Sequence, residues 1–148
     1  MRILSLLERD RILEIQGIIN SIRAHEGYEP MVYQCTEGHD TIGIGFKVDD
    51  LKLSENVCNL ILEETLNELI PRIERKLSWF RYAQDEVQLV IVNMCYQMGL
   101  SGVLKFKRAL AAMEIKNWDL AATEMLDSLW ARQTKNRANE LADLIRSL

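Results

Sequence analysis

Residues 25–46, HEGYEPMVYQCTEGHDTIGIGF, decide the fold, because they break an otherwise helical pattern. Gly27 can cap the helix that precedes it, and Pro30 forbids its continuation. Met31-Val32-Tyr33-Gln34-Cys35 is β-prone, Glu37-Gly38-His39-Asp40 is a turn, and Thr41-Ile42-Gly43-Ile44-Gly45-Phe46 reads as a second strand. Two strands about a short Gly-containing loop predict a hairpin over residues 31–46. Read as one strand, the second run places Gly43 and Gly45 on one face. A strand face without side chains lets another backbone or a ligand come close.

Upstream, Ile3, Leu6, Leu7, Ile12, Ile15, Ile18, Ile19 and Ile22 recur at helical spacing, with Gly17 as a point of division into two helices. Glu8, Asp10 and Glu14 interrupt this segment early, so it reads as neither a secretory signal nor a membrane helix. It reads as an amphipathic helix packed on its own protein, with docking to a membrane or a partner as the minority reading. Downstream, Ser54 opens a helix whose stripe, Leu60, Ile61, Leu62, Leu66, Leu69, Ile70 and Ile73, runs to about Leu77. Pro71 inside it removes a backbone donor and predicts a kink, a candidate hinge. Asp85 to Met98 is nearly apolar all round and predicts a buried central helix ended by Gly99. Further helices are expected over Val103–Ile115, from an Asn117 cap through Trp130, and from Thr134 or Asn136 to Leu148. The class is α+β, mainly α: a small β-hairpin lobe, a long connecting helix and a helical C-terminal lobe.

The chain has 148 residues, 48% hydrophobic and 27% charged, with 18 basic and 22 acidic side chains and a net charge of −4. A chain of this size buries enough surface to fold without a metal or disulfide staple. The mild acidity argues against a dedicated nucleic-acid binder. No apolar run is long enough to span a bilayer. Cys35, Cys58 and Cys95 are odd in number and widely spaced, and His25 and His39 form no zinc framework, so neither metal nor cofactor is expected. The cysteines point to a reducing compartment of origin.

Chemistry concentrates around Glu26. A carboxylate at a helix end is ordinarily a solvated surface group. Here a hairpin follows at once, carrying Cys35, Glu37, Asp40 and Thr41 around one turn. A carboxyl group in such a cleft edge can serve as a general acid. A Cys35–His39–Asp40 hydrolase triad fits poorly, since Cys35 and His39 lie four apart across a tight turn and no oxyanion motif is evident. Cys95 reads as a core residue, Cys58 as partly buried, and Trp118 and Trp130 as core rather than ligand-stacking platforms. Lys105, Lys107 and Arg108 read as a solvated basic face, with attraction to an anionic surface as the sharper alternative.

The run His25-Glu26-Gly27, then Tyr33 to Gly38, then Thr41 to Gly45 resembles the catalytic hairpin of the phage-type lysozymes, glycoside hydrolase family 24. That family carries a Glu-Asp-Thr triad. Its spacings of nine and six residues are those from Glu26 to Cys35 and from Cys35 to Thr41. Asn93 to Gly99 with Ser101-Gly102-Val103 is similar to the family's central helix. Asn117 to Ala122, Trp130, and Gln133 to Arg137 are similar to its late helices and arginine loop. The likeness spans about residues 18–140.

The resemblance implies a muramidase that cuts peptidoglycan between N-acetylmuramic acid and N-acetylglucosamine. Glu26 would protonate the leaving oxygen, Cys35 and Thr41 would handle the water, and Glu37 and Gln97 would line sugar subsites. Arg137 would pair with Glu26. The family inverts at the anomeric carbon, which suits an acid and base about 6.5–9.5 Å apart. Cys35 stands where the family has aspartate, which weakens the fixed negative charge, since a free thiol is mostly neutral at pH 7. A thiolate would still accept a proton or attack the sugar directly, with retention. An active Glu-Cys-Thr variant is expected; the alternative is an inactive peptidoglycan-binding or interaction module. Phe46 replaces a frequent histidine, and the stretch from Lys47 to Ser54 implies a trimmed small lobe.

Residues 1–148 are expected to form one lysozyme-like domain. Its parts are an N-terminal helical extension over 1–17, a small lobe over about 18–60, a connecting helix over about 54–78 and a helical lobe over about 79–148. Peptidoglycan strands are the expected partner of a monomer that neither binds nucleic acid nor inserts in membranes. With no export signal in view, synthesis is expected in the host cytoplasm, with action on the wall after release.

Overall fold

A computed structural model describes the backbone of residues 6–148 and the side chains of residues 15–148. The expected role of residues 1–17 as an extension therefore falls largely outside the described residues. The chain divides into two compact units, one ending at Ser54 and the other spanning Glu55–Leu148.

In the first unit, α1 (Leu6–Glu26) is continuous through Gly17, so the expected division does not occur. One glycine costs a helix only about 1 kcal/mol, which its neighbours offset. Gly27, at φ +74°, ends the helix by donating its N–H to the Arg23 carbonyl at 2.9 Å. β1 (Glu29–Gln34), β2 (Asp40–Gly43) and β3 (Phe46–Lys47) form an antiparallel sheet in that order. The pairs Tyr33–Thr41 and Gln34–Asp40 set the first register, and Thr41–Lys47 and Ile42–Phe46 the second. Residues 41–46 are thus not one strand. Gly43 and Gly45, at φ +68° and +72°, turn the chain back on itself. They flank a tight turn instead of sharing a strand face.

In the second unit, α2 (Glu55–Lys76) runs through Pro71 as one helix. It is followed by α3 (Asp85–Met98), α4 (Leu100–Val103), α5 (Lys107–Glu114), α6 (Trp118–Leu126), α7 (Leu129–Gln133) and α8 (Lys135–Arg146). Fully buried Ile73, Val87, Val90, Ile91, Val103, Met125 and Ile145 form the centre of one core. Helix α3 packs against α2, α4 and α8, while α6 lies between α5 and α8. Ala121 and Ala122 of α6 and Ala138 and Ala142 of α8 are fully buried, which lets these two backbones approach closely.

Three expectations are corrected here. Helix α3 is not buried all round, since Leu89 and Tyr96 are exposed. The segment 103–115 breaks between α4 and α5, where Phe106 turns its ring edge-on to Trp130, at 6.0 Å between centroids. The segment 117–130 breaks at Ser128, whose Oγ accepts from the Ala131 N–H at 3.1 Å and donates to the Met125 carbonyl at 2.8 Å. A serine that satisfies both ends of a helix junction competes with helix continuation. Asn117 caps α6 as expected, accepting from the Leu120 N–H at 3.3 Å.

Candidate active site

In the first unit the hairpin turn brings the chemistry together. The Cys35 N–H donates to the His39 carbonyl, and the Gly38 N–H to the Cys35 carbonyl, each at 2.9 Å. Gly38, at φ +81°, supplies the left-handed residue such a three-residue loop requires. This closure folds the backbone around the Cys35 sulfur. The N–H groups of His39 and Glu37 donate to it, the Thr41 hydroxyl reaches it, and together they hold the thiol below the ordinary thiol range. Partial desolvation and the Glu37 carboxylate oppose that shift. A thiolate stabilised by backbone donors is the species needed for proton acceptance or attack.

Thr41 is buried, the one such polar residue among those described. Its Oγ1 donates to the His39 carbonyl at 3.1 Å. A hydroxyl has one proton and two lone pairs. The same hydroxyl lies within reach of the Cys35 sulfur and is one of the groups that lower its pKa. Cys35 and Thr41 thus form one hydrogen-bonded unit, with Glu37 beside it.

Glu26 is the last residue of α1, and its carboxylate lies over Gly45 in the β2–β3 turn. A Cβ built there would stand 2.6 Å from Glu26 Oε2 and 3.0 Å from its Cδ. The bare glycine admits the Glu26 side chain, where the sequence reading expected another backbone or a ligand at a strand face.

In the second unit, Gln97 accepts from the Trp130 indole N–H at 2.9 Å. Arg137 donates from Nε to Asn93 Oδ1 at 2.7 Å and from Nη2 to the Asn93 carbonyl at 3.5 Å. Gln97, Arg132, Thr134, Lys135 and Arg137 line an open groove of about 490 Å³. On its other side Arg137 borders a more apolar hollow of about 350 Å³ with Leu62, Leu66, Leu89 and Tyr96. Asn93 and Trp130 were not picked out as site residues from the sequence. The available signal was the spacing of Asn93 and Gln97: two amides four apart, hence on one face, in a helix otherwise rich in apolar residues.

Of the remaining cysteines, Cys95 is buried in α3 as expected, and desolvation pushes its thiol up to about 11 against the pull of Arg72. Cys58 is exposed on α2, contrary to the expectation of partial burial. Within the basic face, Arg108 is paired with Glu124 at 2.8 Å.

A small three-stranded sheet, a long helix and a helical unit are consistent with a mainly helical α+β lysozyme fold of the phage type. The chain belongs to that family: residues 23–146 match the family model for phage lysozyme. It is 30% identical to a probable T4-type lysozyme 1 of Dictyostelium discoideum, over 90% of this chain and 95% of that protein. Probable T4-type lysozyme 2 of the same organism is 26% identical over the same shares. The pre-baseplate central spike protein Gp5 of Enterobacteria phage T4 is 30% identical over 84% of this chain, which corresponds to 26% of Gp5.

Proposed function

We propose that the chain is a muramidase that hydrolyses the β-1,4 bond between N-acetylmuramic acid and N-acetylglucosamine in peptidoglycan, with a Glu-Cys-Thr site. Membership of the phage lysozyme family supports the reaction class. The observation that carries the site assignment is the Cys35–Thr41 unit, in which sulfur is surrounded by donors that favour its anion.

In this reading the Glu26 carboxyl gives its proton to the glycosidic oxygen as the bond to the anomeric carbon breaks. Positive charge grows on the sugar, and the Cys35 thiolate opposes it. A water held by Thr41 Oγ1 adds to the carbon and passes a proton to the sulfur, giving inversion. Glu37, Gln97 and Arg137 hold the glycan. The wall lies beyond the inner membrane. No helix among the described residues is long and apolar enough to cross a membrane. By the family resemblance, we extend the proposal to action on the wall after release through a lesion made by another protein.

The test is turbidity clearing of permeabilised Gram-negative cells, with anomeric analysis of the released glycan. Purified protein should clear the cells. Removing a general acid costs about 10²–10⁴ in rate, so Glu26→Gln should be nearly inert. Clearing by Glu26→Gln at the parent rate would remove Glu26 from the mechanism. Binding to walls without clearing would favour the inactive-module reading, and a retained anomer would mean that Cys35 attacks the sugar itself.

A further inference from the structure

We infer that Gly45 is a positioning residue for Glu26: its missing side chain is the space in which the catalytic carboxylate rests. The inference rests on the reading of Glu26 as the proton donor and adds the device that sets where the proton is delivered.

Two requirements meet at this position. The backbone is left-handed, at φ +72°, which disfavours any L side chain. Independently, a Cβ would intrude on Glu26, at 2.6 Å from Oε2, 3.0 Å from Cδ and 3.4 Å from Cγ. The crowded atoms are the free end of a flexible side chain. Crowding is therefore relieved by rotating the carboxylate away, with the backbone left in place. Gly43 provides the contrast in the same turn. Its φ is +68°, nearly the same, but a Cβ there would meet the Phe46 ring at 3.1 and 3.2 Å. Backbone strain is thus shared by both glycines, and contact with the acid belongs to Gly45 alone.

Asparagine separates the two requirements, because it tolerates left-handed backbone yet carries a Cβ. The experiment compares Gly45→Asn and Gly45→Ala with Gly43→Asn on a soluble peptidoglycan oligosaccharide, measuring kcat and KM separately. Folding is checked by circular dichroism, and the Glu26 carboxyl is followed by ¹³C NMR. A misplacement of about 1 Å at a reacting group costs on the order of 100-fold in rate. Gly45→Asn and Gly45→Ala should therefore lose about 100-fold in kcat with KM within about threefold, and the Glu26 carboxyl resonance should move. Gly43→Asn should keep kcat within a few-fold and leave that resonance in place.

Equal kcat in Gly45→Asn and Gly43→Asn would overturn the inference, as would an unmoved Glu26 resonance. Failure of both Gly45 variants to fold would overturn it too, since the backbone rather than the carboxylate would then be taking the strain. Activity of Glu26→Gln at the parent level is a separate outcome, which removes the functional reading beneath the inference.

Discussion

At position 35 the proposed site carries a thiol, and the surrounding backbone favours its ionised form. The peptide N–H groups of His39 and Glu37 and the Thr41 hydroxyl all favour the thiolate. Iodoacetamide should therefore label Cys35 at a pH below that at which an ordinary thiol reacts, and leave buried Cys95 unlabelled in the folded protein. Loss of lytic activity should track Cys35 labelling, and Cys58→Ser and Cys95→Ser variants should be equally sensitive. Mass spectrometry of the labelled peptides alongside turbidity measurements checks this; full activity after confirmed Cys35 labelling would contradict it. Cys95 behaves in the opposite sense. Its thiol rises from an ordinary 9.0 to about 11 on folding, so the neutral form is favoured in the native state. The stability this contributes is fully present below pH 9 and is lost as pH rises toward 11. Urea unfolding across that window should show a decline that Cys95→Ala flattens.

At the scale of elements, the chain's helices were legible where an apolar stripe ran unbroken, as in α8, with Ala138, Leu141, Ala142 and Ile145 at helical spacing and buried. The breaks were not. Helical pattern passes straight through Asp127 and Ser128, where the structure ends one helix at Leu126 and starts the next at Leu129. Ser128 holds that junction with two hydrogen bonds. Ser128→Ala should lower stability by about 1 kcal/mol, as for the loss of a helix cap, read as a lowered Tm in thermal unfolding. No change in Tm would show that the junction is held by packing alone. The turn at Gly43–Gly45 was missed for a related reason. Alternating apolar residues predict a strand whatever the backbone does between them, and the positive φ values that fold it back leave no mark except the glycines themselves.

At the scale of the molecule, burial is divided unequally. The apolar core lies within Glu55–Leu148, whereas among the described side chains up to Ser54 Thr41 alone is buried. Amide exchange tracks the free energy of local opening, which follows buried contacts. Backbone amides of α3 and α8 should therefore exchange only through global unfolding, and those of β1 and β2 through far cheaper local openings. Native-state hydrogen exchange measures this, and hairpin protection equal to that of α3 would contradict it.

The sequence by itself determined the class of fold and the hairpin's place between helices, because helical stripes, caps and turn residues are local properties of the chain; for the site it offered candidates, through the spacing of Glu26, Cys35 and Thr41. Only the tertiary structure decided that Asn93 anchors Arg137, that Trp130 holds Gln97 and that the Glu26 carboxylate fills the gap above Gly45. Those contacts join residues from 19 to 44 positions apart in the chain, and no residue pattern specifies a distance that packing alone creates.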